Sequence, residues 1–249
     1  MAQGKLRILL TGATGRVGTA FFAASTERYW FRLADRRIGT LPGFIGHEAV
    51  ALDVADLAAC RAACEGIDVV VHLAADPSPE ADFYDSLLDN NIKGTYNIFR
   101  AATDAGCRRI IFASSVHVVL GYPDQPPIRP GSPVLPMNTY GVSKCFGEAV
   151  AAQFAHAEGL SSIAIRIGAY DPPWTEEEAT SRNLSVYLSS RDMNQLLTRC
   201  IETPNIQFAV VHGISNNKIK RLDLSETQAL LGYQPQDDGF AVFGVDGPG

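Results

Sequence analysis

Tyr140 and Lys144 stand four positions apart in Thr139-Tyr140-Gly141-Val142-Ser143-Lys144, immediately after Asn138, a good helix N-cap. On a helix the two side chains share one face about a turn apart, which sets an ammonium beside a phenol. A phenol titrates near pH 10 and is a poor base at neutral pH; a neighbouring cation favours its ionised form and lowers that value. The spacing therefore predicts an acid/base pair, with Lys144 lowering the pKa of Tyr140. Because the same spacing is common on exposed helix faces, the pair gains weight only from its surroundings. Ser114 and Ser115 close the apolar stretch Arg109 to Ala113, and Ser115 lies 25 residues before Tyr140.

A second constellation lies near the amino end. The apolar run Leu6 to Leu10 leads into Thr11-Gly12-Ala13-Thr14-Gly15-Arg16-Val17-Gly18 and then a helix-compatible segment, Thr19 to Glu27, which reads as strand, glycine turn, helix. Three glycines at a spacing of three let the chain turn tightly, approach a pyrophosphate closely and pack the helix on the sheet, with the helix N-terminus facing the phosphates. Trp30 to Ala34 reads as a second strand ending at Asp35, seventeen residues past Gly18, where a carboxylate accepts from ribose hydroxyls and repels a 2′-phosphate. Together these predict a dinucleotide site favouring NAD, with Arg16, Arg36 and Arg37 leaving a minor NADP reading.

The elements that must position these groups alternate. Glu48 to Leu52 reads as a strand, Ala55 to Cys64 as a helix and Ile67 to His72 as a strand buried on both faces. After Leu73-Ala74-Ala75 comes a loop with Pro77 and Pro79, then one long helical pattern from about Asp82 to Ala105, ended by Gly106. The proline-rich loop Gly121 to Pro136 reads as a wall of the site, and the Tyr140 helix runs to Glu158. Ser161 to Gly168 is another strand. The irregular, acidic stretch Ala169 to Arg182 reads as a mobile lid. Ser189-x-x-Asp192 has capping-box spacing for a helix to about Glu202; Gln207 to His212 is a strand, Ser225 to Leu231 a short helix, and the tail Gln236 to Gly249 is expected to fray. The pattern predicts an α/β Rossmann-like, doubly wound parallel sheet in a single domain over 1-249, with segments about 169-190 and 213-249 forming a small substrate-binding part. Gly12, Asp35, Leu73 and Ser115 then all sit at carboxyl ends of strands, facing one crevice.

Composition excludes several classes. A formal charge of −6 without clustered Lys or Arg gives no field for a nucleic-acid backbone. No apolar run approaches the roughly 18 to 20 residues of a membrane span, and the amino terminus Met1 to Arg7 enters the first strand without an apolar leader, so the expectation is a soluble cytoplasmic protein. The five scattered cysteines, without Cys-x-x-Cys pairs, suggest neither a disulfide framework nor a zinc site.

The motifs together resemble the extended short-chain dehydrogenases/reductases of the NAD-dependent epimerase/dehydratase kind: the glycine run, Asp35, Asp53-Val54, His72-Leu73-Ala74-Ala75, Asn91 in Asn-Ile-Lys-Gly-Thr, Ser114-Ser115 and Tyr140-x-x-x-Lys144. The resemblance implies that Ser115 holds a substrate hydroxyl, that Tyr140 exchanges its proton, and that Lys144 also holds the nicotinamide ribose. By it, Gly12, Gly15, Arg16, Val17, Gly18, Asp35, Asp53, Val54, Leu73, Ala74, Ala75, Asn91 and Ile167 belong to the cofactor site. A nearer resemblance, to the uronate dehydrogenases, rests on Ser115-x-His117, Tyr140 to Glu148, Arg166-Ile-Gly168, Arg182, Tyr187-Leu-Ser189 and Gly213 to Asn216. It implies Arg182 as a clamp for a sugar carboxylate, with Ser78 and His117 on sugar hydroxyls. Val116 and Ala169 replace an Asn and a Ser usual in that family, which opens the substrate to change.

Other readings stay open. A sugar-nucleotide dehydratase needs an acid and a base beside the catalytic Ser, where Val116 and His117 stand. A nucleotide-sugar epimerase carries a larger carboxyl-terminal part than the roughly eighty residues after Gly168. A nucleotide-sensing protein without chemistry would have no use for the Tyr140/Lys144 pair. A small substrate is the expected partner, and the two long helices are candidates for a homo-oligomer interface.

Overall fold

A computed structural model describes residues 4–40 and 46–246. Nine strands and eight α-helices follow the predicted alternation: β1 (Arg7–Thr11), α1 (Arg16–Ser25), β2 (Trp30–Asp35), β3 (Glu48–Ala51), α2 (Leu57–Cys64), β4 (Val69–His72), a π-helical segment (Phe83–Lys93), α3 (Gly94–Asp104), β5 (Arg109–Ser115), α4 (Thr139–Glu158), β6 (Ser161–Ile167), β7 (Ala169–Tyr170), α5 (Ser181–Leu184), β8 (Tyr187–Leu188), α6 (Ser190–Glu202), β9 (Phe208–Gly213), α7 (Ser225–Leu231) and α8 (Gly239–Val242). Seven strands form one parallel sheet in the order β3-β2-β1-β4-β5-β6-β9, a doubly wound arrangement whose order reverses between β1 and β4.

Alternation along each strand divides the core. Ile8 and Leu10 face the layer of α1 and α6, with Phe21, Met193 and Leu196, while Leu9 faces the layer of α2, α3 and α4, with Cys60, Phe99 and Phe154. Both faces are covered, so β4 reads Val-Val-Val-His with every residue buried. A buried ion pair ties the layers below the site. Glu148 on α4 accepts from Arg166 Nε and Nη2 on β6, both at 2.9 Å, and from Ser114 Oγ on β5 at 2.7 Å. Arg166 also donates to Pro130 O, so the network reaches the proline-rich loop.

Four expectations change. The helix over 82–105 is two pieces: Leu87 N–H donates to Asp82 O and Gly94 N–H to Asp89 O, five residues back, so the first eleven residues are π-helical. The stretch 169–182 is ordered at both ends, by β7 pairing with β8 and by α5, and Trp174 packs with Ala179, Leu184 and Phe240. First-strand pairing and capping shift boundaries slightly: α1 begins at Arg16, with Gly15 as N-cap, rather than at Thr19. The tail is held as far as it is described: the fully buried Asp192 carboxylate accepts from Gln236 and Asp237 N–H, Asp237 pairs with Arg191, and Asp238 caps α8. The expected leaderless start at residues 1–3 and the fraying of residues 247–249 lie outside the described residues. Among the described residues, no helix is long and apolar enough to cross a membrane.

Candidate active site

One crevice of about 1360 Å³ runs along the carboxyl ends of β1, β2, β4, β5 and β6. Gly12, Gly15, Arg16, Val17 and Gly18 line it at one end, with Asp35, Val54, Leu73, Ala74 and Ala75; Ser115, His117, Tyr140, Lys144, Ile167 and Arg182 line the rest. Of the sequence-predicted residues, Asp53, Ser78 and Asn91 are not on its wall. Asp53 accepts from Ala55 N–H and shapes the turn into α2. Ser78 Oγ accepts from Glu80 N–H in the loop after β4. Asn91 accepts from Asp76 N–H and donates to Asp76 O and to Ser143 Oγ, which in turn donates to Tyr140 O. Its place is that of a brace between the loop and the first turn of α4.

The glycine end has the shape a pyrophosphate needs. Gly12 has φ +69° and passes so close to β4 that a Cβ there would lie 2.8 Å from Ala74 N and Leu73 C. A Cβ on Gly18 would lie 2.4 Å from Gly12 O, so the first turn of α1 sits directly on the loop. The N-terminus of α1 thereby opens into the crevice beside Gly15. Asp35 accepts from Thr14 N–H at 3.1 Å, which fixes its carboxylate at the end of β2, where ribose hydroxyls belong. The residues present fit NAD: a backbone cradle for the pyrophosphate, a carboxylate for the adenosine ribose, and Lys144 for the second ribose.

At the reaction end, Ser115 Oγ caps the short 3-10 turn Val116–Val118 by accepting from His117 N–H, and its hydroxyl is near enough to the Tyr140 phenol to favour the ionised form. Lys144 Nζ lies 5.6 Å from the Tyr140 ring centroid and 5.1 Å from that of Phe112, one helical turn below the phenol, as the spacing predicts. The electrostatics differ from expectation. Burial pushes the Tyr140 phenol up, against a lowering by the Ser115 hydrogen bond, and burial pulls Lys144 down to about 8. Burial is the largest cause of both shifts, and the nearby Asp76 carboxylate raises Tyr140 further.

Asn138 settles the tautomer of His117. Asn138 Oδ1 accepts from Gly141 N–H as the helix cap, so its amide nitrogen faces His117 Nδ1, 2.9 Å away, and His117 carries its proton on Nε2. Burial lowers the His117 pKa, keeping the ring neutral beside Tyr140, with ring centroids 5.4 Å apart. Val116 and Ala169 also line the crevice and present apolar surface there. Across the mouth, Arg16 donates to Asp171 O and stacks over the Tyr170 ring, joining the glycine turn to the segment after β6.

Among the wall residues that sequence reasoning did not name for the site are Tyr122 and Arg221, while Tyr170 and Trp174 reach it from the stretch expected to be a lid. Arg221 sits in the charged run Lys218-Ile219-Lys220-Arg221 within the expected substrate-binding part, and only the apolar Leu222 beside it hints at burial.

The model of the NAD dependent epimerase/dehydratase family matches residues 8–189. The chain belongs to this family. Within the family's reach it is 38% identical to an NAD-dependent glucose-6-phosphate dehydrogenase of Haloferax volcanii, over 96% of each chain. It is 36% identical to an L-arabinose 1-dehydrogenase (NAD(P)(+)) of the same organism, over 95% of this chain and 98% of the relative. The crystal structure of uronate dehydrogenase from Agrobacterium tumefaciens superposes with a TM-score of 0.86 at 34% identity, covering 98% of this chain and 91% of that one. This family member is an NAD-dependent dehydrogenase with a Rossmann-like fold.

Proposed function

We propose that the protein oxidises the anomeric carbon of a small free sugar bearing a negative charge, a uronate being the leading case and the product a lactone. The observation that carries this is the convergence of Ser115, Tyr140, Lys144, His117 and Arg182 on the wall of one crevice, with the His117 and Tyr140 ring centroids 5.4 Å apart. When bound along the glycine end, NAD would supply the acceptor for the hydride that leaves C1, while the hydroxyl proton leaves separately to the base. Ser115 holds the C1 hydroxyl. Tyr140 removes its proton, and the product carbonyl keeps the Ser115 hydrogen bond. His117 donates from Nε2 to a neighbouring sugar hydroxyl, and Arg182 meets the anionic group. With NAD bound, its positive nicotinamide would favour the ionised form of the buried Tyr140 phenol, and Lys144 would hold the adjoining ribose.

Segments 169–190 and 213–246 serve as the substrate-binding part, since Ala169, Tyr170, Trp174, Arg182 and Arg221 all reach the crevice from them. Asp35 supports NAD over NADP. The exposed Tyr84, Tyr96 and Val142, on the π-helical segment, α3 and α4, support a helix-packed homo-oligomer, and five free cysteines suit the reducing cytoplasm. The test is NADH formation with galacturonate, glucuronate, glucose 6-phosphate and neutral aldoses. Tyr140→Phe is expected to abolish turnover with NAD binding retained by calorimetry; near-normal turnover in that variant, or activity confined to neutral sugars, would sink the reading.

A further inference from the structure

The segment between β9 and α7 turns back against the proline-rich loop: Ile128 N–H donates to Arg221 O and Asp223 N–H to Ile128 O, both at 2.8 Å. That pairing carries the Arg221 side chain, only 2% exposed, to the crevice wall. Its Nη2 donates to Leu120 O at 2.9 Å and Tyr122 O at 2.6 Å, its Nη1 lies 3.4 Å from Asp124 Oδ1, and its Nε has no hydrogen-bond partner. Arg182, reaching the crevice from α5, has its Nε 3.3 Å from the same Asp124 oxygen. Two guanidinium groups therefore share one carboxylate. Both contacts are longer than the about 2.7–2.9 Å of a tight charge-assisted hydrogen bond, and Asp124 is half-exposed.

The local charge is unbalanced by one positive unit, and the imbalance falls on a guanidinium out of water with a donor unmet. A buried, incompletely paired cation is costly to a fold unless a ligand completes it. Two guanidinium forks match the oxygens of a dianion better than those of a monoanion, and a phosphomonoester carries about −1.5 to −2 at neutral pH. We infer that Arg221 and Arg182 form a subsite for the phosphate of a phosphorylated aldose, and that the Asp124 carboxylate holds their place until that phosphate displaces it toward solvent. Arg221 is on this account a specificity residue that also clamps the loop through Leu120 and Tyr122. The inference rests on the crevice being the sugar site.

The experiment compares glucose 6-phosphate, glucuronate and glucose as substrates at saturating NAD. Expected is a kcat/KM for glucose 6-phosphate roughly 100-fold above that for glucose, with Arg221→Met lowering the phosphate-to-glucose ratio at least about tenfold and Arg221→Lys restoring part of it. Because Arg221→Met also releases two loop carbonyls, Asp124→Asn is the second variant: it leaves both arginines in place, removes the competing carboxylate, and should lower KM for the phosphate by about threefold or more. Equal use of glucose and its phosphate, or an unchanged KM in Asp124→Asn, would overturn the subsite while leaving sugar oxidation standing. Calorimetry separates the two claims. Glucose 6-phosphate titrated into the NAD-saturated Tyr140→Phe protein should bind and displace inorganic phosphate; no binding there overturns the subsite, whereas binding without NADH formation by the wild-type protein on any sugar overturns the oxidation alone.

Discussion

Single side chains in this protein are placed by what lies under them. Asn138 performs two tasks with one amide, capping α4 and setting the His117 tautomer. Asn138→Ala should cost about 1 kcal/mol of stability from the lost cap, measured by urea unfolding, and should raise KM for the sugar more than it lowers kcat. An unaltered KM would show that His117 keeps its orientation without the amide. Gly18→Ala tests the cradle: its methyl meets the Gly12 carbonyl, which is backbone and cannot swing aside. Overpacking of about 1–3 kcal/mol is expected, with NAD affinity reduced at least tenfold by calorimetry. Tyr140, Lys144 and Ser115 were legible in the sequence because helix period and strand ends fix them locally. The direction of the Tyr140 shift was not, since burial by residues far along the chain outweighs the neighbouring charge.

Elements were legible where pattern and capping agree. The Asn138 and Ser189 caps start their helices where the sequence places them, and the fully buried β4 occupies the middle of the sheet. The π-helical stretch was not readable, because a helix of wider turn leaves no distinctive hydrophobic period over eleven residues. Arg221 escaped for a related reason: its burial comes from a loop some ninety residues earlier folding against it, a pairing no local window contains. The Glu148–Arg166 pair joins α4 to β6 beneath Ser114, and Glu148→Ala strands a buried guanidinium. A loss of about 3–5 kcal/mol in unfolding free energy is expected. A loss below about 1 kcal/mol would mean that water or Pro130 O alone satisfies Arg166.

For the molecule as a whole, acid stability follows from two histidines sealed in the sheet. Burial holds His72 at about 3 and His212 at about 4, below the ordinary value near 6.5. Between those values the unfolded chain binds protons that the folded chain refuses, so stability rises with pH in that window and is lost as pH falls from about 6.5 toward 4. Each histidine contributes about 1.4 kcal/mol per pH unit in that range. The urea midpoint should drop clearly between pH 6.5 and pH 5, and a double His72→Gln, His212→Gln variant should flatten the dependence; a midpoint indifferent to pH in the wild-type protein would refute the assignment. The doubly wound parallel sheet and the crevice at the carboxyl ends of its strands were legible in the alternation of elements. What tail and lid add is anchorage, through Asp192 and through the β7 and β8 pair, neither visible without the fold.

The π-helical stretch also restricts how this gene can drift. Bonds that reach five residues back hold more residues per turn than the about 3.6 of an α-helix, so if the same residues wound into α-geometry everything after the segment would rotate out of register. Asn91 would then leave the Asp76 loop and Ser143 together, and the base of the Tyr140 helix would lose its brace. Substitutions on the outer face, where Tyr84 stands in solvent, leave that register alone. Length, more than residue type, is what a lineage of this chain must conserve here.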